Sequence, residues 1–227
     1  MKRQWFVLFI IVCLAGCRYQ SPASVVIENV GENAANIDPS WPTLESNRAA
    51  IVLVAYGVVR INGMLEHDYY GGLVVDKQHI ISKAPPTYPV VLVKEIIVFP
   101  SFKGYGVPAS IVAQMDRGLR SERVVILTTN DNMPYVRPAV FGGKVPSAGY
   151  YLDGAGVEDQ ANVIPVLATL SLNTQDCDVV GRFPPHYYYY INNIVFDMKH
   201  RLLCYDEVPS QELGGFLLES GVWVDTK

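Results

Sequence analysis

The sequence predicts an all-β fold, either a barrel or a sandwich, with one short helix near its C-terminus. Fifteen prolines and eighteen glycines separate short runs that are rich in valine and isoleucine. The turn signals recur about every ten residues, which is typical of antiparallel β-proteins and shorter than the period of βαβ units. Half of the residues are apolar and only 18% are charged, which excludes disorder over most of the length.

The predicted strands follow one another without long helical stretches between them. They span 50–56, 58–61, 69–75, 79–82, 90–99, 110–115, 124–129, 150–152, 164–171, 178–180, 194–196 and 201–205. After the second strand the dipeptide Asn62-Gly63 predicts a tight hairpin turn. The segment 209–220 predicts the helix, because Ser210 can cap it and apolar residues then recur at helical spacing.

Residues 1–16 have the form of a bacterial export signal. Lys2 and Arg3 precede an apolar run that is too short to cross a bilayer as a permanent helix. Residues 17–46 are rich in proline and asparagine and have little periodicity, which is typical of a tether. The remainder, 47–227, is expected to form one domain.

The signal ends in Leu14-Ala15-Gly16-Cys17, which resembles the lipobox of bacterial lipoproteins. The resemblance implies cleavage before Cys17, a thioether-linked lipid on its sulfur and acylation of its new amino group, a strong membrane anchor. Arg18 follows where an aspartate would favour the inner membrane, so the resemblance implies the outer membrane, with the protein facing the periplasm. The alternative is an ordinary secretory signal in which the cysteine is incidental.

The chain is acidic, with 18 lysines and arginines against 22 aspartates and glutamates and a formal net charge of -4. A nucleic-acid partner is therefore not expected, because such binding needs a dense basic face. Repulsion by anionic headgroups should make the domain project away from the bilayer.

Two cysteines remain once the signal is removed and Cys17 is lipidated. In an oxidising compartment Cys177 and Cys204 are candidates for one disulfide. The alternative is two separate thiols buried in the core, because spacing alone does not show that they meet.

Four stretches of the chain, taken in order, resemble trypsin-like serine proteases, especially the bacterial periplasmic ones. They span 71–84, 109–127, 149–154 and 192–203. The first resembles the strand and hairpin that lead into the general base, the second the strand pair with the orienting carboxylate, and the last the run just after the nucleophile. The resemblance covers 47–220 and implies a double β-barrel with a short C-terminal helix.

The catalytic triad does not carry over with this resemblance. The base position falls on Pro85, the carboxylate position on Arg123 with Glu122 one residue away, and the nucleophile position on Ile191. A triad needs a nucleophilic hydroxyl or thiol, an imidazole to take its proton and a carboxylate to hold the imidazole. These three residues supply none of the three groups, so the resemblance implies an inactive relative, a pseudoprotease.

A run of four tyrosines, Tyr187, Tyr188, Tyr189 and Tyr190, precedes the nucleophile position and would crowd the glycine-rich turn that forms an oxyanion hole in the family. In a strand, alternate tyrosines point to opposite faces, so two would be exposed and could contact a protein or glycan. The alternative is an ordinary strand with one buried face.

Metal and cofactor sites are not predicted. The four histidines, His67, His79, His186 and His200, lack the spacing of a zinc site. The glycine pairs lack the pattern of a phosphate-binding loop.

By elimination, the sequence predicts a lipid-anchored envelope protein that binds a protein or another envelope component. The first alternative is an active serine hydrolase whose nucleophile is Ser82 or Ser171 with a nearby histidine. The second is a structural subunit of an envelope assembly that has no ligand pocket.

Overall fold

The computed structural model of the chain describes residues 43–86, 92–100, 106–116, 123–133, 138–142, 148–153, 164–170, 179–180 and 194–222. The helices are α1 (Leu44–Ala50) and α2 (Ser210–Glu219). The strands are β1 (Ile51–Val59), β2 (Leu65–Val74), β3 (His79–Ala84), β4 (Leu92–Phe99), β5 (Val107–Asp116), β6 (Arg123–Thr129), β7 (Ala148–Asp153), β8 (Ile164–Leu170), β9 (Val179–Val180), β10 (Ile194–Phe196), β11 (Leu202–Tyr205) and β12 (Val208–Pro209).

The first six strands form a closed antiparallel barrel in the order β1-β2-β3-β6-β5-β4. Pairing between β1 and β4 closes it, with a register shift between Gly57 and Val58. The two predicted pieces 50–56 and 58–61 are therefore one bent strand, β1. The predicted turn at Asn62-Gly63 is present, and Gly63 adopts a φ of 77° that favours glycine.

The remaining strands form a six-stranded sheet in the order β12-β11-β10-β7-β8-β9. Pairings among the described residues do not join its edge strands β12 and β9. Of the predicted double β-barrel fold, the all-β class, a closed six-stranded barrel and the short C-terminal helix are confirmed, and the second set of strands forms a six-stranded sheet. In the described part of the chain, no helix is long and apolar enough to cross a membrane.

The two faces of the barrel strands serve two different cores. Alternate residues of β1, including Val52, Val54 and Tyr56, point into the barrel. Residues of the opposite parity, such as Ile51 on β1 and Ile126 on β6, pack against the second sheet and helix α2. A continuous apolar core thus joins the two β-structures, because the period of two in a strand gives each face its own set of neighbours.

Helix α2 begins differently from the sequence-based expectation. Pro209 is the N-cap, and no side chain caps the helix. Ser210 is the first helical residue, and its buried hydroxyl donates instead to the carbonyl of Gly142 at 2.8 Å. The prediction that Ser210 caps the helix is therefore wrong, since the hydroxyl is used to attach the helix to the chain between the two sheets.

Helix α1 was not predicted, and it crosses the predicted boundary between tether and domain. Thr43 and Ser46 form a reciprocal capping box, in which each backbone N–H donates to the other side chain, at 3.1 and 2.7 Å. The helix leads directly into β1, and Asn47 on its inner face is buried. The predicted boundary between the tether (17–46) and the domain (47–227) therefore falls inside helix α1.

Candidate functional site

The structure places Pro85 and Arg123, two of the three predicted triad positions, in contact. Strand β3 ends at Ala84, which pairs with Arg123 at the start of β6, and Pro85 follows directly. The guanidinium of Arg123 donates from Nη2 to the carbonyl of Pro85 at 3.4 Å and from Nη1 to Oε1 of Gln114 at 3.0 Å. We call this part of the molecule, formed by Pro85, Arg123 and Gln114, the triad corner. The third position, Ile191, lies outside the described residues.

The triad corner has no acid–base chemistry of the triad kind. Proline has no proton-accepting side chain, and the arginine stays cationic, so it would repel an imidazolium. The Nε atom of Arg123 is buried without a hydrogen-bond partner. Among the described residues Arg123 forms no ion pair with a carboxylate. The corner therefore presents a fixed positive charge at the position that the sequence resemblance assigned to the carboxylate.

A buried tyrosine of the second sheet, Tyr205, forms hydrogen bonds with two barrel strands near the triad corner. The hydroxyl of Tyr205 on β11 donates to the carbonyl of Gly71 at 2.6 Å and accepts from the N–H of Lys83 at 2.8 Å. The register that pairs Gly72 with Ser82 would next pair Gly71 with Lys83. The tyrosine hydroxyl thus bridges β2 and β3 where the ladder between them ends, and complete burial holds its pKa well above the ordinary value.

An ion pair lies beside this tyrosine. Nζ of Lys83 is 3.4 Å from the carboxylate of Asp206, and the two side chains are only 13% and 11% exposed. Asp206 belongs to the tight turn between β11 and β12, where it and Glu207 have positive φ values of 48° and 71°. The ion pair therefore connects the barrel to the second sheet.

Ser82, a candidate nucleophile of the alternative hypothesis, has no access to solvent. It is 0% exposed on β3, and its hydroxyl donates to the carbonyl of Lys83 at 3.1 Å. Tyr56 is buried in the barrel, and this burial raises its pKa, an effect that the Ser82 hydroxyl partly offsets. No histidine contacts Ser82 in the part of the chain that the structure describes. An acylating substrate could not reach this hydroxyl, and Ser171 lies outside the described residues.

His200 belongs to a buried hydrogen-bond network that sequence reasoning missed. Its Nδ1 lies 2.6 Å from the hydroxyl of Tyr150, which also accepts from the side-chain amide of Asn47 at 2.9 Å. Burial lowers the pKa of His200, while the charge of Asp197 acts in the opposite direction. The asparagine amide also donates to the backbone carbonyl of His200 at 2.9 Å, so the network attaches α1 to the turn after β10.

The turn that carries His200 is organised by one carboxylate. Asp197 accepts from the backbone N–H groups of Lys199 and Arg201 and binds the guanidinium of Arg201 at 2.7–2.8 Å. His200 lies in this turn with a φ of 63°, in the left-handed region that favours glycine. Its ring is held by the hydroxyl of Tyr150, and its backbone carbonyl accepts from Asn47.

The other described histidines each lie near a different carboxylate. His79 approaches Asp76 at 2.7 Å, and His67 approaches Glu95 at 3.4 Å. Burial would raise the pKa of Asp76, but hydrogen bonds from Gln78 and His79 outweigh it and lower the pKa. Within the described ranges, no group of three or more His, Cys, Asp or Glu side chains could hold a metal ion.

Several predicted site residues lie outside the described residues. They are Cys17, Cys177, Tyr187, Tyr188, Tyr189 and Tyr190. Cys204 is buried on β11, opposite Val195 of β10. The Cys177–Cys204 disulfide and the tyrosine surface therefore remain predictions.

Comparisons with known proteins identify the fold. No protein-family model and no curated protein matches the sequence. Among solved structures, the active form of the Rv3671c protease from M. tuberculosis is similar, with 14% identity, a TM-score of 0.50 and coverage of 84% of this chain and 90% of that one. Deg5 is similar with 10% identity, a TM-score of 0.50 and coverage of 78% and 93%. The chain has the trypsin-like fold, in agreement with the sequence resemblance.

Proposed function

We propose that this chain is a catalytically inactive trypsin-like domain, anchored to the bacterial envelope by a lipid on Cys17, that binds a protein or another envelope component. The observation that carries the proposal is the contact between Arg123 and Pro85. The two residues that the resemblance assigned to the carboxylate and the base are in contact, and neither has a side chain that can perform that role. Ile191 at the nucleophile position would complete the loss.

The chemistry at the triad corner supports inactivity more strongly than one missing residue would. A base held by an oriented carboxylate is the element that activates the nucleophile. A guanidinium at the carboxylate position would destabilise the imidazolium that forms during acyl transfer. A single substitution could not restore this machinery, since the base and the carboxylate would both have to be rebuilt.

The alternative of an active serine hydrolase is weakened by the burial of Ser82. Ser171 remains as its candidate nucleophile. The third possibility is a structural subunit of an envelope assembly. Like the proposal, it requires that the triad corner has no catalytic activity. A stoichiometric partner recovered after crosslinking would favour the structural subunit over a reversible binding module.

Hydrolytic activity can be tested directly on the purified protein. Incubation with a serine-reactive fluorophosphonate, followed by intact-mass measurement, is expected to leave the mass unchanged. A fluorogenic peptide library is expected to show no turnover above the buffer rate. Labelling that disappears in Ser171→Ala and persists in the matched control Ser110→Ala would establish the alternative hydrolase and refute the proposal.

The membrane anchor is tested separately by fractionation of cells that express the protein. Cys17→Ala is expected to move the protein from the membrane pellet to the soluble fraction, because the acyl chains supply most of the membrane affinity. Cys13→Ala is the matched control, since this cysteine lies in the segment that cleavage would remove. Membrane association that survives Cys17→Ala would refute the lipid anchor and leave the proposal for the triad corner intact.

A further inference from the structure

A groove of about 610 Å³ runs between strand β5 and helix α2, on the outside of the barrel. Strand β5 contributes Ala113, Gln114 and Met115, and the helix contributes Glu212, Gly215, Phe216, Glu219 and Ser220. It is separate from the triad corner except at Gln114, whose side chain contacts Arg123. The groove therefore adjoins the triad corner and shares Gln114 with it.

Apolar side chains from both walls line part of the groove, and there is room at its centre. Met115 and Phe216 are half-buried and pack against the core from opposite walls. Gly215 lies between the two glutamates of the helix, and a Cβ built on it would meet no atom within 4 Å. Glycine is a poor helix former, so its place in the middle of α2 has no explanation in packing within the described residues. It does leave the helix backbone open to close approach by another chain.

The two ends of the groove are negative. Glu212 and Glu219 are seven residues apart on α2, which places them on one face and about 10 Å apart along the axis. Neither forms an ion pair with any described residue, and none of the eight described residues that line the groove is cationic. Glu219 is the last helical residue and the last turn has no basic residue, so its charge adds to the negative end of the helix dipole. A cation from a partner would relieve this repulsion.

We propose that the groove binds an extended segment of a partner protein that carries two basic residues four positions apart with an apolar residue midway between them. Residues i, i+2 and i+4 of an extended chain share one face and span about 13 Å, so two long basic side chains can reach glutamates about 10 Å apart. The apolar side chain would lie over Gly215, between Met115 and Phe216. The inference rests on the binding role in the proposed function and names the chemistry of the partner, and its failure would leave the inactive triad corner and the lipid anchor untouched.

The test uses the peptide acetyl-Arg-Val-Leu-Val-Arg-amide with a fluorescent label, and measures its binding to the purified protein by fluorescence anisotropy. Saturable binding is expected, and it should weaken as salt rises because exposed ion pairs are screened. Glu212→Gln with Glu219→Gln should weaken binding about ten-fold, since each exposed ion pair contributes modestly. Glu95→Gln is the matched control, being the same change on β4 outside the groove, and should leave affinity unchanged.

A steric variant keeps the test independent of charge. Gly215→Leu fills the centre of the groove with a better helix former and should reduce affinity by ten-fold or more while the fold, measured by circular dichroism, is retained. Leu218→Gln, an exposed position of the same helix that does not line the groove, should bind as the unchanged protein does. The proposal is overturned if the peptide does not bind at millimolar concentration, or if the double glutamine variant binds as tightly as the unchanged protein.

Discussion

Replacement of Tyr205 by phenylalanine should destabilise the domain by breaking the bridge between its two β-structures. The hydroxyl is buried, donates to the Gly71 carbonyl at 2.6 Å and accepts from the Lys83 N–H at 2.8 Å. A buried donor left without a partner costs about 1–3 kcal/mol, and loss of the second hydrogen bond adds about 1 kcal/mol. We therefore expect the free energy of unfolding to fall by about 2–4 kcal/mol.

Tyr56 offers a matched control for this substitution. It is equally buried, but its hydroxyl lies near the Ser82 hydroxyl without forming a hydrogen bond of ordinary geometry. Tyr56→Phe removes a desolvated polar group and should leave stability unchanged or raise it by about 1 kcal/mol. Urea denaturation followed by circular dichroism measures both variants. The reasoning is refuted if Tyr205→Phe costs less than about 0.5 kcal/mol, or if the two variants lose the same stability.

The remaining predictions concern the turn after β10 and the strand that it faces. Because burial lowers the pKa of His200, the unfolded chain binds more protons near that group. The contribution of neutral His200 to stability is complete above the ordinary histidine pKa of about 6.5 and is lost as the pH falls below that pKa. His200→Asn should therefore flatten the dependence of the urea midpoint on pH between about 7.5 and 5. An unchanged slope would contradict this reasoning. Gly149→Ala places a Cβ 2.4 Å from the carbonyl oxygen of Phe196 and should destabilise the domain by about 1–3 kcal/mol. The same urea titration measures this change. A neutral effect would mean that the backbone at Gly149 moves freely.

The positions of most strands along the chain could be predicted from the sequence. Runs such as 124–129 alternate between two cores, and both faces are apolar, so β-branched residues mark the strand clearly. Helix α1 was missed because it has seven residues and follows a segment rich in proline and asparagine. The signal that could have identified it is the pair Thr43 and Ser46, a capping box in which serine replaces the usual glutamate.

The site could be predicted only in part. The resemblance identified Pro85 and Arg123, and β3–β6 pairing brings them together. The role of Tyr205 could not be found, because its partners lie more than 120 residues away in the chain and are backbone groups that leave no mark in the sequence. The same limit applies to the contact of Asn47 with Tyr150, which joins two ordinary polar residues.

The central claim is tested most directly by a crystal structure of residues 18–227, read at Pro85, Arg123 and Ile191. Because triad side chains must touch at about 3 Å, the account predicts that the three Cα atoms lie within about 10 Å of one another, with no hydroxyl, thiol or imidazole in reach of the Arg123 guanidinium. A serine, or a cysteine, hydrogen-bonded to a histidine in that corner would contradict it, as would Ile191 on a distant part of the second sheet.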